Sequence, residues 1–161
     1  MPRSRPFVLG LLLSAGLMAT ASTAEAKIVV GQSIDGIKLG DTQAHVEQVL
    51  GPPAYKYEAN GGSSWGYPTT LLGRVGLDST HHVNAIWTAS KRQKTSQGIG
   101  PGSSLAQVRK AYPKVKCSTG PFGPKSLICT LKSKYNGRAV ETAFPFFTRS
   151  MGAREVDMNY A

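Results

Sequence analysis

Residues 36–49 of this chain return, recognisably, as residues 98–111. Gly36, Ile37, Gly40, Ala44 and Val46 recur as Gly98, Ile99, Gly102, Ala106 and Val108, and Thr42 becomes Ser104. The offset is constant at 62 positions. A repeat at fixed spacing means that one small supersecondary unit is used twice, and that the shared residues build the unit. They are poor candidates for a site used once.

Each copy reads as a short capped helix. In the first, Asp41 or Thr42 accepts a hydrogen bond from a free backbone N–H, and Val46, Val49 and Leu50 form an apolar stripe. Gly51 supplies a left-handed stop and Pro52-Pro53 forbid continuation. In the second, Ser103 or Ser104 caps, Val108, Ala111 and Tyr112 repeat the stripe, and Pro113 stops it. Ile37 and Ile99 precede the caps, where an apolar residue staples a helix entry. Helices this short are marginal alone and need packing to hold them.

After each helix the apolar period changes to two. Runs 64–67, 71–78 and 82–89 follow the first helix, and runs 127–133, 139–147 and 154–160 follow the second. Asn136-Gly137 is a strong hairpin signal, and residues 78–81 turn the matching hairpin of the first copy. The expected fold is α+β: two tandem helix-plus-antiparallel-meander repeats, 27–93 and 94–161, sharing one sheet with the helices on one face. The segment between them, residues 90–98, is polar and basic, as a surface linker is. Its three basic residues also make a candidate anion-binding patch.

The first 26 residues carry the three parts of a secretory signal. Arg3 and Arg5 give a basic start, Phe7 to Met18 an apolar run too short for a stable span, and Ala24-Glu25-Ala26 a small-residue cleavage pattern. Cleavage after Ala26 makes Lys27 the mature N-terminus and the protein secreted or extracytoplasmic. No second apolar stretch of spanning length follows. Without residues 1–26 the chain keeps 17 Lys and Arg against 8 Asp and Glu, a net charge of +9. Such a charge attracts anionic surfaces, namely wall polymers, lipid headgroups or an acidic protein. Nucleic acid is not expected, since no helix carries a basic stripe and the lysines are not interleaved with stacking aromatics. Two cysteines in an exported chain, Cys117 and Cys129, are most simply one disulfide.

The sequence offers little chemistry. His45 lies between core positions of a helix, and His81 and His82 point to opposite faces if they continue a strand. No Asp/Glu pair has catalytic spacing, and the Gly-rich segments 98–102 and 120–123 lack the Lys-Ser/Thr of a phosphate loop. No enzyme activity, cofactor or metal is expected. Trp65, Tyr67, Arg74 and Trp87 are the residue types that anchor protein interfaces, and with Asp78 and His82 they form the candidate partner-binding surface.

The pattern Ile-x-x-Gly-x-Thr/Ser-x-Ala-x-Val, a helix stop and then a meander resembles the repeat of the secreted β-lactamase inhibitory protein family. It is also similar to the SmpA/OmlA outer-membrane assembly lipoproteins, whose Trp-x-Tyr is echoed by Trp65-Gly66-Tyr67. The position of Cys117 and Cys129 resembles the inhibitor repeat. The resemblance covers residues 31–89 and 96–160. It implies a helix–loop–helix on an antiparallel sheet, twice, with a concave sheet surface that binds protein. It also implies a role for an acidic residue on a hairpin of the first repeat, where Asp78 occupies a comparable place. The chain departs from the pattern in having no lipobox and no Cys pair in the first copy. The usual Gly-Met-Thr is Gly40-Asp41-Thr42 and Gly102-Ser103-Ser104. The expected function is a secreted, non-enzymatic protein-binding module whose partner is another extracellular or envelope protein; an inhibitor-like role is what the resemblance implies. The alternative is a cell-envelope structural or assembly protein that sits on anionic polymer, and a small hydrolase comes third.

Overall fold

The computed structural model describes residues 27–59, 61–67, 72–121, 123–146 and 152–161. The signal sequence expected at 1–26 lies outside the described residues. Three two-residue strands come first: β1 (Ile28–Val29), β2 (Ser33–Ile34) and β3 (Ile37–Lys38). Helix α1 (Gln43–Leu50) is followed by β4 (Tyr55–Ala59), β5 (Gly62–Gly66), β6 (Arg74–Leu77) and β7 (Val83–Thr88). Helix α2 (Leu105–Ala111) is followed by β8 (Lys116–Thr119), β9 (Leu127–Tyr135), β10 (Arg138–Phe146) and β11 (Val156–Tyr160). The fold is therefore α+β; the described residues form two helices, a three-stranded sheet and an eight-stranded antiparallel sheet ordered β4-β5-β6-β7-β11-β10-β9-β8. Among the described residues each half contributes one helix, where the resemblance implied a helix–loop–helix.

The helix ends follow the chemistry of their residues. Thr42 caps α1 by accepting from the His45 N–H, and Gly51 closes it at φ 75°. Ser104 caps α2, and Gln107 returns a bond from its side chain to the Ser104 N–H, completing a capping box. Ile37 and Ile99 are buried beside these entries. Val49 does not join the stripe: it is 47% exposed. Helix α1 covers the sheet over so short a length that only Val46 is fully buried.

Valines 46 and 108 meet in a single buried cluster with Trp65, Val75, Ile86, Phe144 and Met158. The register explains this. Trp65, Val75, Ile86, Met158 and Thr142 are successive cross-strand partners across β5, β6, β7, β11 and β10, so they share the face under the helices. The N-terminal strands cross the join. The Ile28 N–H donates to the Lys94 carbonyl at 3.1 Å and the Gly31 N–H to Thr142 Oγ1 at 2.9 Å. A side chain at Gly31 would collide with Ser133, which is why glycine stands there. Truncating Val46 or Val108 to Ala is expected to cost roughly 1–3 kcal/mol through lost burial and a residual cavity. Denaturant unfolding checks it, and a separate transition for each half would contradict one shared core.

Cys117 and Cys129 are cross-strand partners on β8 and β9, bonded as a disulfide with Cα atoms 4.0 Å apart. A loop of this length removes disorder from the unfolded chain worth about 3 kcal/mol in the chain-entropy model. It also fastens the edge strand β8 to β9, its neighbour in the sheet. Asn136 and Gly137, both at positive φ, turn the β9–β10 hairpin as their sequence requires.

Candidate functional site

The helices take one face of the large sheet, and alternation sends every second side chain of β4 to β7 and β11 to the other. On that second face Tyr55, Gly66, Arg74, Trp87 and Asp157 are successive cross-strand partners, and Tyr57, Ser64, Gly76, Ala85 and Asn159 form the next row. Glycines make the face a platform. A Cβ on Gly66 would overlap the Tyr55 ring, and one on Gly76 would stand 3.2 Å from the Trp87 ring. The two rings thus lie down over backbone that has no side chain. Arg74 stacks its guanidinium on Trp87, 5.0 Å from the ring centroid.

A groove of about 620 Å³ opens on this face, lined by Tyr57, Ser64, Gly76, Asp78, Asn84 and Trp87 among others. Asp78 is held at its rim by the hairpin itself. Its Oδ1 accepts from the Thr80 N–H at 2.9 Å, the Thr80 hydroxyl at 2.6 Å and the His82 N–H at 3.1 Å. Burial pushes this carboxyl upward, but the hydrogen bonds from Thr80 and His82 and the nearby His82 ring outweigh it, so it lies below the usual carboxylate range. His82 Nδ1 lies 2.8 Å from the Thr80 carbonyl, and both His81 and His82 are exposed.

Two of the six residues expected at the partner-binding surface are not there. Trp65 and Tyr67 are each 2% exposed and belong to the core. Tyr67 directs its hydroxyl at the Gly51 carbonyl, 3.4 Å away, and its ionisation is pushed up to about 12, by burial first and by Glu47 second. Trp65 pairs through Val75 with Ile86 and so shares the core face, whereas Trp87 is the next residue after Ile86 and faces away. A register shift between Gly76 and Leu77 explains why Trp87 does so although Val83 faces the core. Gly76 pairs with Ala85 and Leu77 with Val83, so Asn84 is an extra residue on β7. The extra residue lets Val83 and Ile86 both face the core while Ala85 and Trp87 face away. Arg74 and Trp87 come together on the open face, Asp78 lies on the groove beside Trp87, and His82 stays on the hairpin.

The sequence reading missed Tyr55 and Tyr57, which are 51% and 67% exposed on the edge strand. Their signal was available, since Tyr55-Lys56-Tyr57-Glu58 alternates aromatic and charged residues. It also missed Asp157, whose Oδ1 is buried without a hydrogen-bond partner among the described residues. Burial, then Glu155, push this carboxyl up to about 7 against the opposing pull of Arg74. His45 pairs with Asp41 at 3.6 Å. Among the described residues no group of three or more His, Cys, Asp or Glu side chains converges, and no helix is long and apolar enough to cross a membrane. In comparisons with known proteins, the chain matches no family model, no curated protein and no solved structure.

Proposed function

We propose that this is a secreted, non-enzymatic protein-binding module made of two helix-and-meander repeats related to the β-lactamase inhibitory protein family. It binds another extracellular or envelope protein through the open face of β4 to β7. The observation that carries the reading is the sorting of the aromatic side chains. Trp65 and Tyr67 fill the core, whereas Tyr55, Tyr57 and Trp87 gather with Arg74 on the uncovered face. Aromatic rings and arginine give large contact area at small entropic cost and dominate interface energetics. The repeat reading is supported by the order of elements, one helix and then four antiparallel strands, twice. The disulfide supports an extracytoplasmic setting.

Trp87→Ala is expected to weaken partner binding by about 30-fold, the scale of a central anchor. The measurement is capture of the same identified protein from medium or envelope extract by the wild type and by Trp87→Ala, with exposed Lys114→Ala as control, followed by titration of that protein. Equal affinity for all three would place the binding surface elsewhere.

A further inference from the structure

Among the described residues the eight-stranded sheet ends in β4 on one side and β8 on the other, and the two margins differ. Strand β8 is four residues long, begins with Lys116 and is locked to β9 through Cys117 and Cys129. Strand β4 is five residues long and pairs with β5 from Tyr55↔Gly66 to Ala59↔Gly62 without a bulge. Pro52 and Pro53 lie ahead of it and none interrupts it. Residues 55–58 are all exposed. A margin this regular offers a row of backbone N–H and C=O groups to another strand.

A lone charge on such a strand repels a second copy of itself. On β4 two charges of opposite sign, Lys56 and Glu58, lie two residues apart on one face, and Tyr55 and Tyr57 lie on the other. Lys56 already has contacts within its own chain. Its ammonium is 3.6 Å from Glu47 Oε1 and 4.1 Å from the Trp65 ring centroid, and its side chain remains 47% exposed. Those contacts fix its charge on the core side of the margin.

Two copies of one margin, joined antiparallel, are related by a two-fold axis normal to the sheet, so like faces stay on the same side. Charges then oppose charges. Centred on Tyr57, the pairing sets Lys56 against Glu58 of the second copy, Glu58 against Lys56 of the second copy, and Tyr57 beside its own equivalent. Slipped one step either way, it sets Lys56 against Lys56 or Glu58 against Glu58, and like charges directly opposite are destabilising.

We propose that β4 is a self-recognition edge through which two copies of this chain join their sheets antiparallel about Tyr57. The occupant is a second copy because the strand complements its own charges in that register. Strand β8 carries Lys116 and no acid, so β4 against β8 of another copy gains at most one charge pair, and such a head-to-tail contact runs on as a filament. The dimer stands or falls independently of the reading of the sheet face. It also sets two open faces side by side: Tyr57 lines the groove, and Tyr57 of the second copy extends that wall.

Sedimentation equilibrium of the protein with its disulfide intact, from about 10 μM to about 1 mM, is expected to show monomer and dimer with a dissociation constant on the order of 100 μM, the range of a small interface. Glu58→Lys, which sets lysines opposite lysines, should weaken association at least about tenfold. Lys56→Glu should do the same by setting glutamates opposite glutamates. A mixture of the two variants should associate as the wild type does, since each supplies the charge that the other lacks. Should Lys56→Glu fail to fold for want of its Glu47 and Trp65 contacts, Glu58→Lys and the amide signals decide. In ¹⁵N-labelled protein the amides of Tyr55 to Glu58 should shift with concentration while those of Lys116 to Thr119 stay. A wild type still monomeric at about 1 mM would overturn the proposal and leave the edge to an extended segment of another protein. Growth beyond a dimer, shifts in β8 as large as those in β4, or undiminished association of Glu58→Lys would each overturn it too.

Discussion

Asp157→Asn is expected to stabilise the protein above neutral pH, by up to about 4 kcal/mol, while changing it little near pH 4. The carboxyl sits on the open sheet face beside Trp87, its Oδ1 buried and unpartnered among the described residues. Burial, then Glu155, raise it from an ordinary 3.8 to about 7, with Arg74 pulling the other way. A raised carboxylate penalises the fold. Between pH 4 and pH 7 the unfolded chain has released this proton and the folded chain still holds it, so stability falls as pH rises through that window. Every tenfold change in proton affinity corresponds to about 1.4 kcal/mol, so the penalty reaches about 4 kcal/mol once the folded group has ionised. Asparagine keeps the shape of the neutral acid without the charge. Guanidinium unfolding of both proteins at pH 4, 5, 6, 7 and 8 should therefore diverge steadily with pH. Parallel profiles would mean that the folded protein ionises Asp157 as readily as the unfolded chain does.

Trp65→Ala should cost roughly 3–5 kcal/mol, the loss expected for a large aromatic removed from a packed interior. Trp87→Ala should cost about 1 kcal/mol, because its ring lies half-exposed over Gly76. The pair has opposite consequences for binding, since only Trp87 reaches the open face. Trp65 also keeps Lys56 on the core side of the edge strand, with the ammonium 4.1 Å from the ring centroid. Differential scanning calorimetry of the two variants decides it. A Trp65→Ala protein that melts with the wild type would show the core to be elsewhere.

The local signals in the sequence were legible because they act over a few residues. Thr42 and Ser104 cap, Gly51 ends a helix and Asn136-Gly137 turns a hairpin, each through its own backbone chemistry. The edge strand β4 carries only its short alternation of aromatic and charged residues, and β8 and β1 to β3 carry no such local signal. The latter are two residues long and are held by bonds to Lys94 and Thr142, which no local period reveals. That Arg74 lies on the face opposite Val75 was legible because alternation is short-range. The outward turn of Trp87 breaks the simple alternation of β7, because the extra residue Asn84 puts Val83 and Trp87 on opposite faces, and the burial of Trp65 depends on Val75 and Ile86 of other strands. Asp157 was invisible for a similar reason: its environment is made by Trp87 and Arg74 on other strands.

The strand order also sets the timing of assembly. Strand β11 lies between β7 and β10 and pairs with both, yet it is the last strand in the chain. A chain emerging amino end first can build β4 to β7 and then β8 to β10 as separate hairpin stacks. Until Val156–Tyr160 arrives, each stack presents an open margin rich in Val, Ile and Phe. Such margins template pairing with other chains. The central seam is thus the most distant contact to make and the last protection to be gained, and loss of those five residues would leave two adhesive edges instead of one sheet.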